Sequence, residues 1–81
     1  MGKEIKILGP GCPKCEALYN NVILALDELG LEASVEKVKD LGQIAAHGVM
    51  QTPGLVVDGR VVSQGKVLSV EEVKEILKKE N

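Results

Sequence analysis

The sequence has almost no aromatic side chains. Tyr19 is its single aromatic residue, and Phe and Trp are absent. Because 44% of the 81 residues are nonetheless hydrophobic, we expect a core built from Val, Leu, Ile and Ala. A chain of this length buries only about 60% of the surface that it exposes when unfolded. The composition therefore predicts one small domain over residues 1–81 with a modest core.

The chain also lacks an excess of positive charge and a long apolar run. Ten basic residues face twelve acidic ones, for a net charge of −2, whereas a nucleic-acid-binding domain presents a basic patch. No apolar run approaches the roughly 20 residues of a membrane span. The N-terminal segment Met1-Gly2-Lys3-Glu4 leads into a charged strand and does not resemble a signal peptide. We therefore expect a cytoplasmic monomer that binds neither nucleic acid nor membrane.

Cysteine is equally scarce, and the two cysteines, Cys12 and Cys15, are separated by only two residues. Two cysteines this close cannot hold a secreted fold together, and in a reducing compartment the spacing indicates redox chemistry or metal binding. They lie in the segment 9–15, between an apolar run and a long amphipathic segment. Pro13 suits the first position of a helix, which makes Cys12 the predicted N-cap residue. Cys15 then lies one turn further along the same face, within disulfide reach.

This placement predicts different reactivities for the two thiols. The thiolate attacks disulfides, and helix N-termini and nearby cations lower a cysteine pKa from about 8.5 to between about 3.5 and 7.5. Cys12 has the helix start and Lys14 beside it, so we expect Pro13 and Lys14 to tune its pKa, against the opposing charge of Glu16. Cys12 is the predicted nucleophile. Cys15 is the predicted resolving residue, which closes the Cys12–Cys15 disulfide.

Hydrophobic periodicity and turn signals predict the element order β-α-β-α-β-β-α. A parallel β-α-β crossover followed by an antiparallel hairpin gives an α/β fold: a mixed four-stranded sheet with helices on both faces. The second strand alternates poorly, because Lys37 interrupts its apolar face. The first three predicted elements are strand 4–8, helix 13–29 and strand 32–38. A short helix follows, which begins at a capping box at Asp40 and ends at Gly48. Strands 55–57 and 61–62 flank the turn Asp58-Gly59, and the last helix runs from a capping box at Ser69–Glu72 to Lys79.

With its elements in this order, the sequence resembles the thioredoxin/glutaredoxin superfamily, and within it the small single-domain redox-active disulfide proteins of archaea and bacteria. The similarity extends over essentially the whole chain. Its features are Cys12-Pro13-Lys14-Cys15 at a strand-to-helix junction, Thr52-Pro53 just before a strand, and the Asp58-Gly59 hairpin followed by a terminal helix. The resemblance implies a thioredoxin-like fold in which a cis Thr52–Pro53 bond faces the disulfide.

The resemblance also implies a function. The protein would be a thiol–disulfide oxidoreductase that acts on protein disulfides, takes electrons from a thioredoxin-reductase-like donor, and uses no cofactor and no metal. The backbone of Thr52, turned by Pro53, would pair with an extended substrate chain as a strand does. Gly11, in the turn before the dithiol, would either contact the substrate or only end the strand.

Two other functions remain open at this point. Metal-binding modules of the heavy-metal-associated, copper-chaperone-like type also place C-x-x-C between a first strand and a helix. Their fold, however, runs β-α-β-β-α-β and ends on a strand. The other alternative is a redox-sensing adaptor that binds a partner without turnover. His47, the single histidine, is expected to end the second helix and interact with its dipole rather than to bind a metal.

Overall fold

The computed structural model describes residues 3–79. Over this range it contains four strands and three helices, in the order that the sequence predicts. No helix in this range is long and apolar enough to cross a membrane. The elements are β1 Lys3–Leu8, α1 Pro13–Leu29, β2 Ala33–Val38, α2 Leu41–Ala46, β3 Gly54–Val57, β4 Arg60–Gln64 and α3 Val70–Lys79.

The four strands form one mixed sheet in the order β2-β1-β3-β4. β1 pairs in parallel with β2 and antiparallel with β3, and β3 pairs antiparallel with β4. The β3–β4 connection is the two-residue turn Asp58-Gly59, with φ of 51° and 84°. Positive φ at both positions is the geometry that Asp-Gly favours in tight hairpins. The predicted sheet is thus confirmed, with β1 at its centre.

Helices cover both faces of the sheet, also as predicted. The larger core cluster lies on the face that carries α1 and α3, and the smaller one on the face that carries α2. All the buried side chains of residues 3–79 are apolar. The larger cluster consists of Ile5, Ile7, Leu18, Val22, Ala25, Leu26, Leu55, Val57, Leu68, Val73 and Leu77, and the smaller one of Leu8, Val38, Ile44, Val49 and Val56.

The helix starts show which local predictions hold. The capping box before α3 is present: the Ser69 N–H donates to Glu72 Oε1 at 3.0 Å, and the Glu72 N–H donates to Ser69 Oγ at 3.1 Å. The box predicted at Asp40 is wrong in one detail. Asp40 caps α2 by accepting from the Gly42 N–H at 2.8 Å, one residue earlier than a capping box requires.

β3 begins at Gly54, which the sequence pattern places in the preceding loop. Gly54 pairs with Leu8 on β1. A Cβ at Gly54 would lie 3.1 Å from Val49 Cγ1, so the strand start needs a residue without a side chain. The pairing of Gly54 with Leu8 joins segments far apart in the sequence, which is why local patterns do not indicate this strand start.

Leu18→Ala should destabilise the fold strongly. Leu18 is 0% exposed at the centre of the larger cluster, and truncating a buried leucine costs about 2–5 kcal/mol in the free energy of unfolding. Leu24, on the same helix, is 51% exposed, and Leu24→Ala should change this free energy by at most about 0.5 kcal/mol. Urea titration of both reduced variants measures the difference. Equal losses would contradict the assigned core.

Candidate active site

The turn between β1 and α1 builds the start of the dithiol site. The Gly9 N–H donates to the Val38 carbonyl at 2.9 Å, which ties the end of β1 to β2. Gly11 has φ of 94°, a conformation that favours glycine. Cys12 follows in extended backbone as the N-cap of α1, with Pro13 at the first helical position. The helix therefore begins where the sequence predicts, because its start depends on local chemistry.

The two cysteine sulfurs lie 2.6 Å apart, and both residues are free thiols. Cys15 is buried, at 5% exposed, whereas Cys12 is half-buried. The Cys15 N–H also donates to the Cys12 sulfur at 3.4 Å. The site therefore holds one sulfur near the surface and a second directly beneath it.

The surroundings shift the two thiol pKa values in opposite directions. The pKa of Cys12 is lowered, first by the hydrogen bond from the Cys15 thiol and then by the backbone N–H groups of Cys15 and Lys14. The pKa of Cys15 is raised by burial and by its hydrogen bond to Cys12. Hydrogen bonds donated to a thiolate favour its charged form, whereas burial disfavours it. Cys12 therefore ionises first.

Gly9 is a site residue that the sequence pattern did not single out. A Cβ at this position would collide with Cys15 Sγ and lie 3.3 Å from Cys15 Cβ. The absence of a side chain at Gly9 thus makes room for the buried sulfur. The sequence shows only that a glycine ends the first predicted strand. Glycine is common at strand ends because it suits turns, so this position alone does not indicate a role in the site.

Thr52 and Pro53 also lie close to Gly9. The position that a Gly9 Cβ would occupy is 3.8 Å from Thr52 Cβ and in contact with Cys15 Sγ, so the Thr52 side chain lies close to the buried sulfur. The Thr52–Pro53 peptide bond is cis, and Pro53 is buried. The Gly65 N–H donates to the Pro53 carbonyl at 2.9 Å. The structure therefore brings this loop beside the dithiol.

Glu16, which follows Cys15, is engaged by a lysine from β2. Lys37 Nζ lies 2.8 and 2.9 Å from the two Glu16 carboxylate oxygens, and 4.3 Å from the centre of the Tyr19 ring. The hydrogen bond from Lys37 is the main cause that lowers the pKa of Glu16. Lys37 interrupts the apolar pattern of β2, and it neutralises the carboxylate of Glu16, which is the acidic residue next to Cys15 in the sequence.

The element order argues against the metal-binding alternative. His47 is the C-cap of α2, as the sequence predicts. The observed element order, with α3 after the hairpin, differs from the strand-ending order of the metal-binding module. The fold and the paired thiols instead define a protein that exchanges a dithiol with a disulfide.

Comparison with known proteins agrees with this class. A family model described as "Thioredoxin domain" matches residues 3–78. A thioredoxin from Methanocaldococcus jannaschii is 50% identical over 74 residues, which cover 91% of this chain and 85% of that protein. A thioredoxin from Methanothermobacter thermautotrophicus is 45% identical over 74 residues, covering 91% of this chain and 96% of that protein. The chain belongs to the thioredoxin family and is a thiol–disulfide oxidoreductase.

The alkylation of Cys12 should report its lowered pKa. Only the thiolate reacts, so the alkylation rate rises with pH around the pKa of the thiol. For Cys12 this midpoint should lie below the value of about 8.5 of an ordinary cysteine. Iodoacetamide trapping followed by peptide mass spectrometry, across a pH series, should show Cys12 modified first at every pH. A Cys12 midpoint at or above that of an ordinary thiol would contradict the assigned ionisation order.

Gly9→Ala should impair the site by displacing Cys15, since the added methyl group collides with its sulfur. Overpacking of this kind costs about 1–3 kcal/mol, so we expect weaker folding and at least a tenfold loss of disulfide reduction. In the control Gly42→Ala, the same methyl group meets only an exposed Asp40 oxygen, at 3.3 Å. Steady-state reductase assays and urea titration compare the two. Full activity in Gly9→Ala would show that Cys15 does not need this space.

Proposed function

We propose that this protein reduces disulfides in other proteins, with Cys12 as the nucleophile and Cys15 as the resolving residue. The single observation that supports these roles is the asymmetry of the pair: the outer sulfur has the lowered pKa and the inner one is 5% exposed. A substrate disulfide therefore meets the more ionised sulfur first. Pro13 and Lys14 support this ionisation, Pro13 by starting the helix and Lys14 through its backbone N–H.

The reaction then takes two exchanges. The Cys12 thiolate attacks one sulfur of the substrate disulfide, which forms a mixed disulfide and releases the other substrate sulfur as a thiolate that takes up a proton. Cys15 next loses its proton and attacks Cys12 Sγ, which breaks the mixed disulfide. The second substrate sulfur leaves as a thiol. Two electrons and two protons pass to the substrate, and the protein ends with a Cys12–Cys15 disulfide.

The backbone around Thr52 is proposed to hold the substrate chain. Thr52 is half-buried beside the dithiol, and the Pro53 carbonyl is already occupied by the Gly65 N–H. An extended substrate segment that meets Cys12 would pass along Thr52 and pair with its N–H and carbonyl as an added strand. Gly11, exposed immediately before Cys12, would lie under the same segment.

A thioredoxin-reductase-like protein is the proposed electron donor, because the two compared relatives are named thioredoxin. Such a donor would transfer two electrons to the Cys12–Cys15 disulfide and restore both thiols. The cytoplasmic location, the monomeric state and the single domain over residues 1–81 stay predictions from the sequence. Size-exclusion chromatography with light scattering tests the predicted monomer directly.

Substitution of each cysteine separates the two roles. Cys12→Ser should abolish disulfide reduction, since no thiolate remains at the surface. Cys15→Ser should instead accumulate mixed disulfides through Cys12, because resolution fails. Insulin reduction with a dithiol donor, followed by non-reducing mass spectrometry, measures both. In the trapped complex, hydrogen exchange at the Thr52 amide should slow. An active Cys12→Ser variant would overturn the assigned roles.

The same preparations test the alternatives. A redox-sensing adaptor would form mixed disulfides without turning over insulin, whichever dithiol or reductase is supplied. A copper-binding module would hold copper(I) stoichiometrically against a competing chelator and would show no reductase activity. Either result in the unsubstituted protein would replace the proposal.

A further inference from the structure

We propose that Lys39 is a specificity-determining residue that favours disulfide substrates with carboxylates beside the reacting cysteine. The proposal rests on the proposed reduction of protein disulfides. Lys39 directly follows β2, and its Nζ and Cε lie 4.0 and 3.9 Å from the position that a Gly11 Cβ would occupy. Gly11 immediately precedes Cys12, so this ammonium group lies beside the turn that leads into the nucleophile.

The glycine makes this approach possible. Gly11 is exposed and has φ of 94°, and a side chain there would be strained and would contact the Lys39 side chain. Without one, the backbone before Cys12 is open to a substrate chain, with the lysine at its edge. A polypeptide that runs along Gly11 to reach Cys12 therefore passes close to this charge.

The acidic groups near Lys39 are engaged by other partners, so Lys39 offers its positive charge to an incoming substrate chain. Glu16 is held through both its oxygens by Lys37, and the charge of Lys39 acts on it more weakly. The carboxylate of Asp40 caps α2 through the Gly42 N–H. Lys14 adds a further exposed positive charge on the first turn of α1. The surface at the dithiol is thus locally positive on a chain whose net charge is −2.

A role in substrate choice can be separated from a role in thiol ionisation. The main causes that lower the pKa of Cys12 are its hydrogen bonds from the Cys15 thiol and from backbone N–H groups. Removing the charge of Lys39 should therefore leave the alkylation profile of Cys12 unchanged while altering the rate with charged substrates. An exposed ion pair of this kind changes a rate by up to about fivefold, less at high ionic strength.

Two disulfide peptides of equal length test the proposal, one with glutamates and one with lysines beside the cysteines. The unsubstituted protein should show a higher kcat/KM for the acidic peptide. Lys39→Gln should reduce this preference by up to about fivefold, and Lys39→Glu should reverse it. High salt should suppress the preference in the unsubstituted protein.

The matched control is Lys79→Gln. Lys79 is also exposed, but it lines a pocket with Arg60 at the end of the sheet where the Asp58-Gly59 hairpin turns. This variant should keep the full preference. A preference that survives in Lys39→Gln, or one that Lys79→Gln loses equally, would overturn the inference about Lys39 alone. If the unsubstituted protein reduced neither peptide, the proposed function would fail, and this inference with it.

Discussion

The contact between the two sulfurs at the start of α1 is the constraint on which the site depends. Cys12 must cap the helix and Cys15 must lie one turn below it, with their sulfurs 2.6 Å apart. The buried sulfur fits only because the end of β1 carries no side chain at Gly9. The dithiol is thus formed jointly by a helix start and the end of the central strand.

That central strand explains how so small a protein holds the site in place. β1 pairs on both sides and contributes buried side chains to both core clusters, Ile5 and Ile7 to one and Leu8 to the other. Its end is therefore among the best-anchored points of the chain, and the turn into α1 starts from there. Apolar packing positions the reacting sulfurs, although the chain has only one aromatic side chain.

Local chemistry explains which features the sequence predicts. Pro13 starts α1, Asp58-Gly59 forms the hairpin, and Ser69 caps α3, all through bonds within a few residues. The tight fit of Gly9 against Cys15 spans only six residues, but it depends on how α1 packs against the end of β1. The strand start at Gly54 and the contact of Lys39 with the Gly11 turn each join distant segments. The poor apolar pattern of β2 has the same origin, since Lys37 pairs with Glu16 on a helix that precedes it by some twenty residues. Such features become predictable only once the register of the strands is known.

The hydrogen bond between the thiols also orders the two exchanges in time. In the free dithiol, the hydrogen bond between the two sulfurs lowers the pKa of Cys12 and raises the pKa of Cys15. Once Cys12 is bound in a mixed disulfide, its sulfur no longer carries a negative charge. Two of the causes that raise the pKa of Cys15, the hydrogen bond to Cys12 and the charge on it, are then removed, and burial remains. Cys15 therefore ionises more readily after its partner has reacted, when its attack on Cys12 Sγ completes the reaction.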